Sequence, residues 1–334
     1  MKNATMNEWK ELYEITKKIQ KHKPWEEYYD VDLFAIYLEG EEEPYWISFM
    51  GHAQKCKGIL LYEGMKGYNM FNLICDQDQY PDASKYLIGE QNCLTCYMGF
   101  KDEIDDDMLD VIKNIGYRST RDNWIYFKSF ETRYFPMIPE QREVRLLIKV
   151  YKAVLYFLEK DRKHFKKINW EKEVLAINEI EDEYVSYTLP IPIPLPVFPT
   201  YTFADEFINT LKGHKRTDNV ISMDLTYSMD WIKDDGYDKL INPLLFTIFD
   251  LKERMVLMVD LIAVDLEQID VVIHALEGII DVDGIPKEIV VRNPCIYNGL
   301  LSLCDKLDIK LTYDDLPFID TFVEDMMDSM MNPN

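Results

Sequence analysis

Positive charge is what this sequence has least of. Lys and Arg number 37 against 60 Asp and Glu across 334 residues, a net charge of −23. Such a field repels phosphate backbones and anionic lipid surfaces, so general nucleic-acid binding and membrane association are disfavoured. From Lys215 onward acids outnumber bases by more than two to one, which removes the basic patch that nucleic-acid binding needs there. Long apolar runs are missing too: no stretch reaches the roughly 18 residues a membrane helix requires. The opening MKNATMNEWKELYEITKK has no apolar core of a secretory signal, and the expected compartment is the cytosol. Six cysteines are too few for a disulfide scaffold and should be thiols. No GxGxxG, GKS/T loop, HExxH or GxSxG is written in the chain, and no cofactor is expected.

What remains is an ordinary globular composition, 47% hydrophobic and 29% charged, with 22 Tyr, 16 Phe and 6 Trp to fill cores. The length points to two domains. Periodicity places an amphipathic helix at 6–21, strands at 32–38, 45–50, 58–62 and 91–100, and a helix at 104–115 closed by Gly116. Residues 140–160 read as a long helix with Val144, Leu147, Tyr151, Val154 and Leu158 on one face. A short strand pair follows at 172–178 and 183–188. The segment LPIPIPLPVFP (189–199) cannot enter a central sheet, because proline lacks the donor. It reads as a stiff extended connector whose Ile191, Ile193, Leu195 and Val197 pack on the protein, rather than as an SH3 ligand, which needs a basic flank. A helix at 202–212 precedes the polar stretch at Gly213, taken as the boundary: an α+β domain over 1–212 and an α/β domain over 213–334.

In the second domain the expected elements are strands at 220–228, 243–250 and 255–264, a helix at 266–280, a strand at 288–292, a helix at 297–307, a strand at 309–313 and a helix from Pro317. Asp265 and Gln268 match a capping box for the first of these helices. The order β-β-β-α-β-α-β-α, a mixed sheet with alternating helices, is that of ribonuclease-H-like domains by topological analogy.

The stretches YWISFMGHAQKCKGILLYEGMKGY, EQNCLTCYMGF and IGYRSTRDNWIYFKSF resemble a group of uncharacterised bacterial proteins. ISMDLTYS, PKEIVVRNPCIYNGLLSLCDKLDIKL and DLPFIDTF resemble the domain fused behind them. The resemblance implies a two-domain family and no activity. Asn293 stands where the family tends to carry an acid, and Tyr126, Glu131 and Thr132 stand where it tends to carry prolines and glycine.

A ribonuclease-H-like catalyst needs several carboxylates around two metal ions. Asp224 lies in the first strand, Asn293 ends the fourth, and Asp320 or Glu324 on the last helix could supply a third ligand. Neutral Asn293 is a poor ligand. Ile319, Val323, Met326 and Met330 mark the buried side of that helix, which leaves Asp320, Glu324 and Asp328 as a solvated stripe. Asp224 is expected at an exposed edge or bonded to a neighbouring backbone amide. Cys93 and Cys96 have the spacing of half a zinc site, with Cys56, Cys75 and His52 as further ligands by count. In a strand, however, residues three apart face opposite ways. Cys304 reads as core and His274 as exposed. The aromatic run at 124–135, with Arg121, Lys128 and Arg133, is either a stacking platform or a strand and loop packed on the long helix; the charge favours packing. No catalytic set is complete, so the sequence favours a non-enzymatic protein that binds another macromolecule, most readily a protein. The alternative is a metal-dependent nuclease or phosphotransferase.

Overall fold

Helix α1, Met6–His22, starts at a reciprocal cap: Thr5 Oγ1 accepts the Glu8 amide, and the Glu8 carboxylate accepts the Thr5 amide at 2.7 Å. Such a cap contributes about 1 kcal/mol. The helix buries Trp9, Leu12, Tyr13, Ile15 and Ile19, the apolar stripe its period predicts. The computed structural model describes residues 3–53, 56–76, 84–227 and 231–331. These form two compact units. One comprises Met1–Asn72, Gln91–Glu131 and Pro136–Leu195; the other comprises Leu73–Glu90, Thr132–Phe135 and Pro196–Asn334.

The first unit is built on a seven-stranded sheet. Its strands are β1 (Phe34–Tyr37), β2 (Tyr45–Met50), β3 (Lys57–Glu63), β4 (Cys93–Gly99), β5 (Trp124–Phe130), β6 (Glu173–Ile180) and β7 (Glu183–Pro190), in the order β5-β4-β3-β2-β1-β6-β7. All neighbours are antiparallel except β1 and β6. One face packs on α1, α4 (Asp106–Ile115) and α5 (Gln141–Tyr156) through Phe34, Ile47, Ile59, Cys96 and Phe127. Gly116 closes α4 in the left-handed region at φ 73, as a helix-terminating glycine does. The other face holds Trp46, Tyr62 and Cys93 with Tyr68 and Phe71 of α2 (Gly64–Cys75).

Two helices were not foreseen from the sequence, α2 and the short α3 (Ser84–Gly89). Gly58, Gly64 and Gly67 read as turn residues in the sequence, but Gly58 lies in β3 and the other two in α2, where a Cβ on Gly67 would lie 2.9 Å from Tyr62 Cβ, so the glycine permits close helix–strand approach. The proline-rich segment also differs from expectation. Ile191 packs on the first unit and Val197 on the core of the second, but Ile193 and Leu195 are 85% and 63% exposed. The first part of the segment is held by its backbone instead, with Tyr68 Oη donating to the Pro192 carbonyl and the Leu195 amide donating to Asn69 Oδ1.

The second unit carries a five-stranded sheet of β8 (Val220–Tyr227), β9 (Leu244–Asp250), β10 (Met255–Ile262), β11 (Glu288–Val291) and β12 (Lys310–Tyr313), ordered β10-β9-β8-β11-β12. β9 runs antiparallel to both neighbours, and β8, β11 and β12 run parallel. Helices α6 (Asp205–Lys212), α7 (Gln268–Val282) and α8 (Pro294–Lys306) pack on one face through Ile208, Val272, Leu276, Ile296 and Leu300. Helix α9 (Pro317–Met331) covers the other through Ile319 and Val323, with Leu316 just before it. The capping box expected at α7 does not form. Asp265 accepts the Tyr237 hydroxyl and Gln268 Oε1 accepts the Tyr86 hydroxyl, so tertiary partners take both side chains, and Glu267 stands at the helix start without a side-chain bond.

Candidate functional site

Strand β8 alternates. Ile221, Met223 and Leu225 enter the apolar core, which leaves Ser222 and Asp224 on the opposite face. Thr247 of β9 stands directly across from Asp224. On the other side Met223 pairs with Val291 of β11, so the next residue, Arg292, arrives beside Asp224. The guanidinium fills this meeting point. Arg292 Nε and Nη2 each lie 3.0 Å from Asp224 Oδ2. Nη1 and Nη2 clasp Asp320 of α9 at 3.0 and 2.8 Å, a two-pronged carboxylate pair of the stronger kind.

Asp224 is 1% exposed and Arg292 4%. Burial pushes the Asp224 carboxyl up to about 7, against the pull of Arg292 and its hydrogen bonds. Burial likewise opposes the charge on Arg292, and the two carboxylates more than restore it. Asp224 was expected at an exposed edge or on a neighbouring backbone amide; it lies in a central strand, where the Leu225 amide helps hold its charge and its side-chain partner, Arg292, comes from 68 residues away. Asp320 is half exposed as its stripe predicts, yet it reaches back to Arg292. Glu324, one turn on, is exposed, and Arg292 is bridged by Asp224 and Asp320.

Asn293 has a different task. Its Oδ1 accepts the amides of Cys295 and Ile296 at 2.9 and 3.3 Å, and its Nδ2 donates to the Leu225 carbonyl at 3.0 Å. It caps α8, with Pro294 behind it in the first turn, and ties that helix to β8. The donor set therefore does not fit a two-metal centre as arranged. The oxygens of Asp320 and Asn293 already accept N–H groups, and among these side chains Asp224 Oδ1 is the oxygen that accepts none. Beside it, Ser222 Oγ and Thr247 Oγ1 are buried and also lack a partner.

A second polar cluster lies at the end of β8. Tyr227 Oη donates to Glu90 Oε1 at 2.7 Å, and Tyr86 Oη donates to Gln268 Oε1 at 2.8 Å. Arg133 Nη1 donates to the Leu266 carbonyl at 2.9 Å. A Cβ on Gly89 would lie 2.3 Å from the Tyr227 ring, which is why that position is glycine. The Cys295 thiol beside this cluster is pushed up to about 12 by burial. Its groups bond one another, which reads as a structural lock.

The remaining sequence candidates separate. Cys93 and Cys96 are buried on opposite faces of β4, so they do not form one ligand pair, and burial pushes both thiols well up. Cys56 and Cys75 are exposed. His52 is half-buried with its ring 3.9 Å from that of Tyr29. Cys304 is core and His274 exposed. The aromatic run divides: Ile125 and Phe127 of β5 enter the core of the first unit, while Tyr134 and Phe135 belong to the second, with Phe135 against Trp231. Among the described residues no three His, Cys, Asp or Glu side chains gather as a metal cluster, and no helix is long and apolar enough to cross a membrane.

Sequence reading missed Arg292, Glu90 and Tyr227, and placed Arg133 with the aromatic run rather than in the cluster at the end of β8. Arg292 had a signal: an arginine ending one apolar strand, EIVVR, and an aspartate inside another, ISMDLTYS, are natural partners if the strands adjoin.

These features define a two-domain mixed α/β protein whose second sheet carries a buried arginine between two aspartates. Residues 9–177 match the family model of a domain of unknown function, DUF7309, and residues 208–327 match that of a second, DUF6930. The chain belongs to the DUF7309 family, with a DUF6930 domain behind it. No curated protein matches the chain.

Proposed function

We propose that the chain is a cytoplasmic bacterial protein that acts by binding another protein, and that its second unit is a ribonuclease-H-like domain without a working catalytic centre. The topological part is supported by the strand order β10-β9-β8-β11-β12, with β9 antiparallel and the helices alternating with β11 and β12. The loss of catalysis rests on one observation. The guanidinium of Arg292 occupies the point where Asp224 and Asp320 meet, so a fixed cation of the chain sits where a catalyst of this topology would hold its ions. The charge of −23 supports a protein partner over a nucleic acid.

The test is incubation of the purified chain with RNA, DNA and RNA–DNA hybrid in Mg²⁺ or Mn²⁺. No cleavage above buffer is expected. A metal-dependent cleavage that disappears in Asp224→Ala would overturn the reading.

A further inference from the structure

Strand β10, MVLMVDLI, ends its sheet and pairs on one side with β9. Such an edge presents unpaired amides and carbonyls, and proteins usually blunt it with lysine, proline or a covering element. β10 has no Lys or Pro, and Met255, Val256, Val259 and Leu261 are all exposed. Its single charge is Asp260, whose Oδ1 accepts the Leu261 amide at 2.8 Å. An amide bonded to its neighbour's carboxylate is not in the ladder to β9, so the Leu261 N–H lies on the outer side. Alternation places the Val259 N–H there as well. The side chains of Val259 and Leu261 stand opposite Thr247 and Leu245. They therefore extend to the sheet edge the apolar face that α9 covers through Leu245 and Phe249.

We propose that the β10 edge receives an extended apolar segment of another protein, carrying a lysine or arginine that pairs with Asp260. This rests on the reading of the chain as a binding protein and names the chemistry of its partner. The outward backbone groups fit an added strand. The charge fits a basic one: from Met255 to Pro286 the sequence has no Lys or Arg, but contains Asp260, Asp265, Glu267, Asp270, Glu277, Asp281 and Asp283. A second copy would bring the same acids to the same edge, which opposes self-pairing. In the free protein Asp260 holds the Leu261 amide. A partner's cation draws the carboxylate away and releases that amide to the partner's carbonyl, so Asp260 selects for charge as well as guarding the edge.

The full chain is titrated by fluorescence anisotropy with three labelled Val/Thr peptides of the length of β10: one flanked by lysines, one by glutamates, and one lysine-flanked with alternate amides N-methylated. The lysine-flanked peptide is expected to bind, and the other two to bind at least about tenfold more weakly, the scale of one charge pair or a few hydrogen bonds. Asp260→Ala should keep binding and lose most of the preference for lysine over glutamate. Val259→Lys, at an exposed position, should abolish binding. The proposal is overturned if the lysine-flanked peptide does not bind, if N-methylation has no effect, or if Asp260→Ala keeps the charge preference. A dimer in sedimentation that Val259→Lys dissolves would also overturn it, by assigning the edge to a second copy. None of these outcomes involves hydrolysis, so the edge can fail while the non-catalytic reading stands, and the reverse.

Discussion

The two faces of the second sheet are made by the same strands and hold together by different physics. On one, Ile221, Met223, Leu225, Phe246 and Ile289 meet α6, α7 and α8 in an apolar core. On the other, Leu245, Phe249 and Val290 meet α9, but Ser222, Asp224, Thr247 and Arg292 are buried among them. The first face gains from area removed from water, which is indifferent to pH and to which apolar side chain supplies it. The second spends much of its interaction energy on desolvating charge. A buried ion pair often adds little net stability over apolar residues of the same volume, though losing one member is severe. The polar face thus fixes where α9 docks more than how tightly it docks, through Asp320 on Arg292.

The sharpest way to break this contrast is Arg292→Leu. It leaves Asp224 buried without a cation, and the cost should be about 3–5 kcal/mol at pH 8, read by hydrogen exchange of the β8 amides. At pH 5.5 the cost should shrink, because Asp224 then takes a proton. The same carboxyl sets a pH slope in the unaltered chain. Its pKa is raised from 3.8 to about 7 on folding, so between those values the folded state holds the extra proton. Stability therefore rises as pH falls through that window and is lost as pH rises. Asp224→Asn should remove this slope. An unchanged slope in Asp224→Asn would mean that the carboxylate stays ionised beside Arg292 throughout.

The apolar face should answer differently. Leu276 of α7 is fully buried, and Leu276→Ala should cost about 3 kcal/mol from lost transfer energy and the cavity left behind. That cost should be the same at pH 8 and 5.5. If it follows pH as the Arg292 variant does, the two faces are one coupled unit and the contrast fails.

These differences explain which parts were legible in the sequence. Periodicity and helix-ending glycines are local, so α1 and α4 with Gly116 could be read directly. The opposite orientations of Cys93 and Cys96 followed from strand alternation alone. Helix α2 escaped because Gly64 and Gly67 signal a turn unless the close approach to Tyr62 is known. The capping box at Asp265 and Gln268 failed because Tyr237 and Tyr86 claim those side chains from afar. Asp224 could be singled out as an acid in an apolar strand, but its partner could not, since only the register of β8 with β11 brings Arg292 beside it. Glu90 and Tyr227 meet across 137 residues, with no pattern in either segment to announce it.

The smallest predicted effect tests the polar face most delicately. Thr247 Oγ1 is buried and has no partner, and it lies across from Asp224, whose Oδ1 also has none. Thr247→Val keeps the shape and removes a hydroxyl whose burial without a bond costs about 1–3 kcal/mol. If the hydroxyl is idle, the variant should be more stable by about 1 kcal/mol, and the Asp224 titration should stay where it is. If it serves Asp224 through a bound water, the variant should be less stable, and the slope attributed to Asp224 should move to higher pH, because the ionised carboxylate loses a donor. The direction of that shift separates an apolar face with a few tolerated polar atoms from a polar network built around the aspartate.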